Sequence, residues 1–168
     1  MERSKKVIFV SHCLLNQNVR AAERERFPGS FKDILELFAE SGIGIIQLPC
    51  PQLEFNGGLD RKVKAKSSCE SNDYRNKCRK LSINLISQVE NYLKSNYHVV
   101  GILGVELSST CGVHQILNGR KNVPGNGILM EEIENEMQKK NFQVPIIGVN
   151  LDNIFSSIEK VQSLLKFS

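Results

Sequence analysis

Four short apolar runs punctuate the chain, at residues 7–10, 43–48, 99–105 and 144–149. Each is continuous rather than alternating, as in strands covered on both faces of a parallel sheet. Amphipathic stretches separate them. Residues 31–40 carry Ile34, Leu35 and Phe38 on one side, with Ser30 placed as the N-cap. Residues 78–93 repeat Leu81, Leu85 and Val89 at every fourth position. Residues 128–140 carry Leu129, Ile133 and Met137 behind Gly125-Asn126-Gly127. Residues 154–166 carry Ile154, Ile158, Val161 and Leu165 behind Asp152 or Asn153 as cap. Strand and helix thus alternate four times. This predicts an α/β fold, a Rossmann-like open parallel sheet with helices on both faces, in a single domain over residues 1–168. Two connections are long, 51–77 and 106–127. Loops of that length in a compact domain are usually functional, and these two are expected over the carboxyl edge of the sheet.

A chain of 168 residues is long enough to bury roughly 70% of its unfolded surface. No apolar run approaches the roughly 20 residues that span a bilayer, so no membrane partner is expected. The run after Lys5-Lys6 ends at Ser11-His12-Cys13 after four residues, too short for a secretory signal, and the expected location is cytoplasmic. The net charge is +4. Residues 60–80 alone hold eight bases (Arg61, Lys62, Lys64, Lys66, Arg75, Lys77, Arg79, Lys80) against three acids (Asp60, Glu70, Asp73). This suits either a solvated loop or an anionic ligand. Nucleic acid is not an expected partner: tryptophan is absent, and the basic segment holds a single aromatic, Tyr74.

The cysteines change the picture most. Cys13 lies three residues past the first predicted strand, Cys50 two past the second, and Cys111 in the loop after the third. Loops at the carboxyl ends of parallel strands converge on one crevice, so three thiols from distant parts of the chain are expected to meet there. Three thiolates without a fourth partner suit an iron–sulfur cubane with one open iron. Zinc held by the same thiols plus His12 or His114 is an alternative, and thiols that merely fill core space are another. Pro49 and Pro51 stiffen the chain on both sides of Cys50. Gly112, Gly57 and Gly58 allow close backbone approach. Cys69 and Cys78 read as structural, with a resolving thiol or a fourth ligand as other roles. There is no CxxC pair.

Four motifs, Ser11-His12-Cys13-Leu14-Leu15, Cys50-Pro51-Gln52-Leu53-Glu54 with Gly57-Gly58-Leu59, Ser108-Ser109-Thr110-Cys111-Gly112 and Gly125-Asn126-Gly127, together resemble the thiouracil desulfurase (TudS-like) family. The resemblance runs from the first strand to the helix after residue 127. It implies a small Rossmann-like protein with an oxygen-sensitive [4Fe–4S] cluster on Cys13, Cys50 and Cys111. The reaction implied is a non-redox desulfuration of a small thiolated compound, a thio-nucleobase or nucleoside. The open iron takes the sulfur, and sulfide leaves. The family's second motif commonly reads Cys-Pro-Glu, but position 52 is Gln52, and an amide does not exchange a proton as a carboxylate does. Glu54 is the substitute acid/base, provided the segment is extended so that 52 and 54 share a face. The third motif commonly reads Ser-Pro-Ser-Cys. Here Ser108 matches the first serine, as a hydrogen-bonding assistant, and Thr110 keeps a hydroxyl. These departures place the chain in a divergent subgroup.

His12 and His114 are candidate proton shuttles, and His98 reads as structural. Tyr74, Arg75 and Arg79 form a group expected to close over the site, with Arg75 and Arg79 binding a polar or anionic substrate. Two other functions stay open. One is a non-catalytic iron–sulfur or zinc protein for sulfide handling or redox sensing. The other is a metal-free nucleotide binder using Gly125-Asn126-Gly127 at a helix N-terminus.

Overall fold

The computed structural model describes residues 2–166. The parallel strands are β1 (Lys6–Ser11), β2 (Gly44–Leu48), β3 (His98–Val105) and β6 (Ile146–Val149), in the order β2-β1-β3-β6. The order reverses between β1 and β3, which opens a crevice at their carboxyl ends. Helices α2 (Lys32–Glu40) and α7 (Ile154–Lys166) cover one face of the sheet, and α5 (Asn72–Lys94) and α6 (Ile128–Lys139) the other. Alternation along the strands divides the core. Phe9 and Ile102 join Leu85, Ile86 and Ile133 on one face, while Ile8, Val10 and Leu103 join Ile34, Phe38 and Val161 on the other. The expected open parallel sheet is therefore the fold. Among the described residues no helix is long and apolar enough to cross a membrane.

Three local expectations are corrected. β2 is an edge strand, and Ile45 is 38% exposed, so it is not covered on both faces. α2 starts with Phe31 at the cap position and no side-chain cap, so Ser30 does not serve. α5 begins at Asn72, six residues before the predicted start. Ser71 caps it, accepting from the Tyr74 amide at 3.1 Å. Tyr74 and Cys78 extend its buried stripe, which the basic residues between them hide in the sequence.

The two long connections are largely structured. The first contains two short helices of its own, α3 (Pro51–Phe55) and α4 (Lys66–Cys69). The second contains an antiparallel hairpin, β4 (Gln115–Asn118) and β5 (Lys121–Pro124). Gly119 and Arg120 form its two-residue turn, with Gly119 in the left-handed region at φ +66°, where glycine is favoured as the first turn residue. Between β1 and α2 lie the short helix α1 (His12–Leu15) and a single 3-10 turn (Gln17–Val19).

Candidate metal centre at the carboxyl edge

Cys13, Cys50 and Cys111 all line one cleft at the carboxyl ends of β1, β2 and β3. Cys13 occupies the second position of α1, immediately after β1, and its carbonyl accepts from the Gln17 side chain. Gln17 is itself buried and accepts from the Arg26 amide at 2.9 Å, so one polar side chain ties the segment together. Cys50 is extended (φ −113°, ψ 92°) and leads into α3, with Pro51 as the first helical residue.

Cys111 is the most constrained of the three. Ser108 Oγ accepts from the Cys111 and Thr110 amides, at 3.0 and 3.2 Å. Buried Glu106, at the end of β3, accepts from the amides of Val113, His114 and Gln115 and faces the His114 ring at 3.0 Å. A Cβ on Gly127 would lie 2.3 Å from the Thr110 carbonyl carbon, and one on Gly104 2.4 Å from the Cys111 carbonyl oxygen. The loop is packed with no room for a methyl group at either contact.

Electrostatics match the geometry. Burial pushes the Cys13 thiol up to about 11, opposed by Arg20 and reinforced by Cys50. Burial raises Cys111 further, with Cys50 and Cys13 adding to it and Ser11 opposing it. Cys50 thus makes both of the other thiols harder to ionise, and Cys13 does the same to Cys111. The wall around them is positive. Arg20, Arg24, Arg61, Lys62 and Lys64 line the cleft and no carboxylate does. Arg20 Nη1 and Arg61 Nε are buried with no hydrogen-bond partner among the described residues. Val63, Val105, Leu107 and Ala21 supply apolar surface.

The donor set fits a cubane: three thiols from separate loops around a cavity, with cationic groups beside them. Among the described residues no three His, Cys, Asp or Glu side chains stand together as a site for a metal ion. The three thiols line one cleft, whereas a single zinc ion needs four donors at about 2.0–2.3 Å. Neither His12 nor His114 lines the cleft. His12 sits beside Glu54, and His114 is bound to Glu106.

Several expected site residues are placed elsewhere. Residues 51–55 are helical, so Gln52 and Glu54 project about 200° apart. Gln52 lines the cleft, whereas Glu54 is exposed and outside it. Arg75 and Arg79 do not reach the cleft either. Arg75 binds Glu132 at 3.0 Å, Glu131 at 2.9 Å and also Glu70, and Arg79 binds Glu132 at 3.1 Å. They bridge α5 to α6 because Glu132, 3% exposed, needs cations. Ser108 does line the cleft. The Gly112 amide donates to the Ser108 carbonyl at 3.0 Å, and Gly58 offers its carbonyl to Arg61, so both glycines serve the loops themselves. The amides of Gly127, Ile128 and Leu129 donate to the carbonyls of Gly112, Ser109 and Thr110, so the start of α6 spends these three amides on the Cys111 loop rather than on a phosphate.

Sequence reasoning missed four contributors. Arg20 and Arg24 lie outside the basic segment, and their only signal is proximity to Cys13 in the chain. Ser109 lines the cleft and joins Cys69 in a polar cluster at its wall. Gln52 Nε2 donates to Ser109 Oγ at 3.0 Å and Thr110 Oγ1 at 2.9 Å, and Tyr74 pairs with Thr110 at 2.9 Å. Cys69 is 3.5 Å from Gln52 Nε2 and 3.2 Å from Asn56 Nδ2.

No known family's sequence profile matches the chain. It is similar to a solved structure described as the [4Fe–4S]-dependent thiouracil desulfidase TudS, with a TM-score of 0.53, 19% identity, and coverage of 95% of this chain and 99% of that one. At that identity the likeness concerns the fold. It is also 36% identical over 145 residues to the uncharacterized protein MJ0003 of Methanocaldococcus jannaschii, covering 86% of each. The chain belongs to the same family as that archaeal protein.

Proposed function

We propose that the chain is a [4Fe–4S]-dependent desulfidase acting on a small anionic thiolated compound, a thio-nucleobase or a nucleoside derivative. The observation that carries this is the meeting of Cys13, Cys50 and Cys111 in one positively charged cleft. The fold shared with TudS and the four motifs support it. A cluster on these thiols supplies an open iron, a Lewis acid toward soft sulfur.

The chain's own residues do the rest. Arg20 and Arg61, whose buried Nη1 and Nε lack a partner among the described residues, bind the anionic part, with Arg24, Lys62 and Lys64 around them. Val63 and Leu107 take the flat apolar face of a ring. Arg20 offsets negative charge at Cys13. Ser108 fixes the Cys111 loop by accepting two amides. These residues replace Arg75, Arg79 and Glu54 in the roles expected from sequence. Five free thiols suit a reducing cytoplasm.

A second reading, a non-catalytic iron–sulfur protein for sulfide handling or redox sensing, draws on the absence of a carboxylate among the cleft-lining residues. The deciding experiment measures iron, acid-labile sulfide and sulfide release from thiouracil on protein handled without oxygen. About four irons per chain with repeated turnover supports the desulfidase. Iron without turnover on any thiolated nucleobase or nucleotide supports the second reading, and no iron after reconstitution refutes both.

A further inference from the structure

The hydrogen bonds around Gln52 have a direction fixed by the chain itself. Lys64 Nζ has only hydrogens to give, and its partner is Asn56 Oδ1. The Asn56 amide is therefore oriented: its oxygen faces Lys64 and its Nδ2 donates to Gln52 Oε1 at 3.1 Å. That orients Gln52 in turn, with Nε2 donating to Ser109 Oγ and Thr110 Oγ1. An amide alone could face either way; a cation at the end of the series removes the choice.

Both hydroxyl oxygens now accept, so each must send its own hydrogen elsewhere. Thr110 has the Tyr74 hydroxyl at 2.9 Å. Ser109 has Cys69 Sγ at 3.8 Å, a distant and weak acceptor, and it lines the cleft. Ser109 is 5% exposed, so a donor held only by this weak sulfur acceptor gains when a ligand offers a better one.

We propose that Ser109 is the hydrogen-bond donor to an acceptor atom of the bound compound, a carbonyl oxygen or an anionic ring nitrogen. Lys64, Asn56 and Gln52 are the positioning residues that give Ser109 this polarity. The proposal deepens the desulfidase reading and rests on it for the class of compound. A cyclic thioamide carries such an acceptor next to its C=S carbon. Charge that grows on the ring as water adds is stabilised by a donor already aimed at it.

The test uses cluster-loaded protein with two probes, uracil for binding and thiouracil for sulfide release. Ser109→Ala removes the donor. Gln52→Glu keeps the shape but only accepts, drawing the Ser109 hydrogen inward. Each is expected to weaken uracil binding by about tenfold, and the double variant to be no weaker than the worse single one. Sulfide release is expected to lose more in kcat than in KM, and Lys64→Arg to retain what Lys64→Met loses. Parent-like uracil affinity in Ser109→Ala, with an unchanged melting curve, overturns the proposal. So does a parent that binds neither ring. Should Gln52→Glu fail to fold, Ser109→Ala decides alone. Uracil binding that depends on Ser109 without sulfide release from thiouracil keeps the donor and removes the desulfidase reading. Sulfide release untouched by either variant does the reverse.

Discussion

Glu106 offers the sharpest test of how Cys111 is held. Its carboxylate, 5% exposed, accepts the Gln115 amide at 2.9 Å and the Val113 and His114 amides at 3.1 Å, beside the His114 ring at 3.0 Å. Hydrogen bonds to a charged acceptor contribute about 1.5–3 kcal/mol each. Their sum overstates the loss, since His114 is 68% exposed and water can reach part of the turn. Breaking a buried charge-paired site costs about 3–5 kcal/mol. Glu106→Gln keeps the volume but turns an NH₂ toward backbone donors, so a loss of about 2–4 kcal/mol is expected. Against a total of about 5–15 kcal/mol the variant still folds. Urea denaturation at pH 7 should show a midpoint lower by about 1–2 M at unchanged m, and iron retention should fall as the Cys111 loop loosens.

The pH dependence follows from the same contacts. Burial alone would raise the Glu106 pKa. The Gln115 amide, the His114 ring and the His114 and Val113 amides outweigh it and hold the carboxyl below its usual 4.5. A depressed carboxyl pKa contributes stability that is complete above the unfolded value and lost as pH falls through the folded value. The gap between parent and variant should therefore be full at neutral pH and close on acidification below about 4.5. A variant within about 0.5 kcal/mol of the parent at pH 7, or a gap that stays constant into acid, refutes the reasoning.

Cys13→Ser, Cys50→Ser and Cys111→Ser should each lose the bound iron, while Cys69→Ser and Cys78→Ser keep it, as read by iron and labile sulfide per chain. Arg20→Ala and Arg61→Ala should raise KM for a phosphorylated thionucleoside by about 10–100-fold, whereas Arg79→Ala should leave KM alone and lower stability by about 1–3 kcal/mol through the loss of a Glu132 partner. Gly127→Ala should destabilise by about 3 kcal/mol, because the added methyl meets backbone rather than a movable side chain, and urea melts check it. In metal-free protein, Cys13 alkylation should keep accelerating as pH rises toward about 11, with a plateau near pH 8 as the contrary result.

The sheet was legible because its strands are buried and continuous, and β2 escaped the pattern only in being an edge with Ile45 exposed. The cysteines were legible because position after a parallel strand fixes which edge a residue occupies. Side-chain direction was not. Whether Glu54 joins Gln52 depends on residues 51–55 being helical, and the five-residue α3 is too short to carry a helical period. Arg75 and Arg79 misled for a different reason: their partner Glu132 lies more than 50 residues away on α6, and a basic cluster read alone gives no sign of a buried carboxylate waiting for it. Of the cations that line the cleft, Arg61, Lys62 and Lys64 belong to the basic segment, whereas Arg20 and Arg24 sit in a stretch without a motif.

Two of the departures from the motif pattern, Gln52 for glutamate and Ser109 for proline, stand in separate motifs of the sequence. In space they are 3.0 Å apart and hydrogen-bonded. They are better understood as one change: an amide that donates needs an oxygen to receive its hydrogen, and the hydroxyl at 109 provides it. A carboxylate returned to position 52 would meet two hydroxyls, Ser109 and Thr110, that must both turn inward to satisfy it, and the cleft would lose an outward donor while gaining an acid masked by its neighbours. Gln52→Glu is therefore expected to reduce activity rather than restore it. An increase in sulfide release from that single substitution would show that the cleft still needs a carboxylate and that the Gln52–Ser109 pair does not replace it.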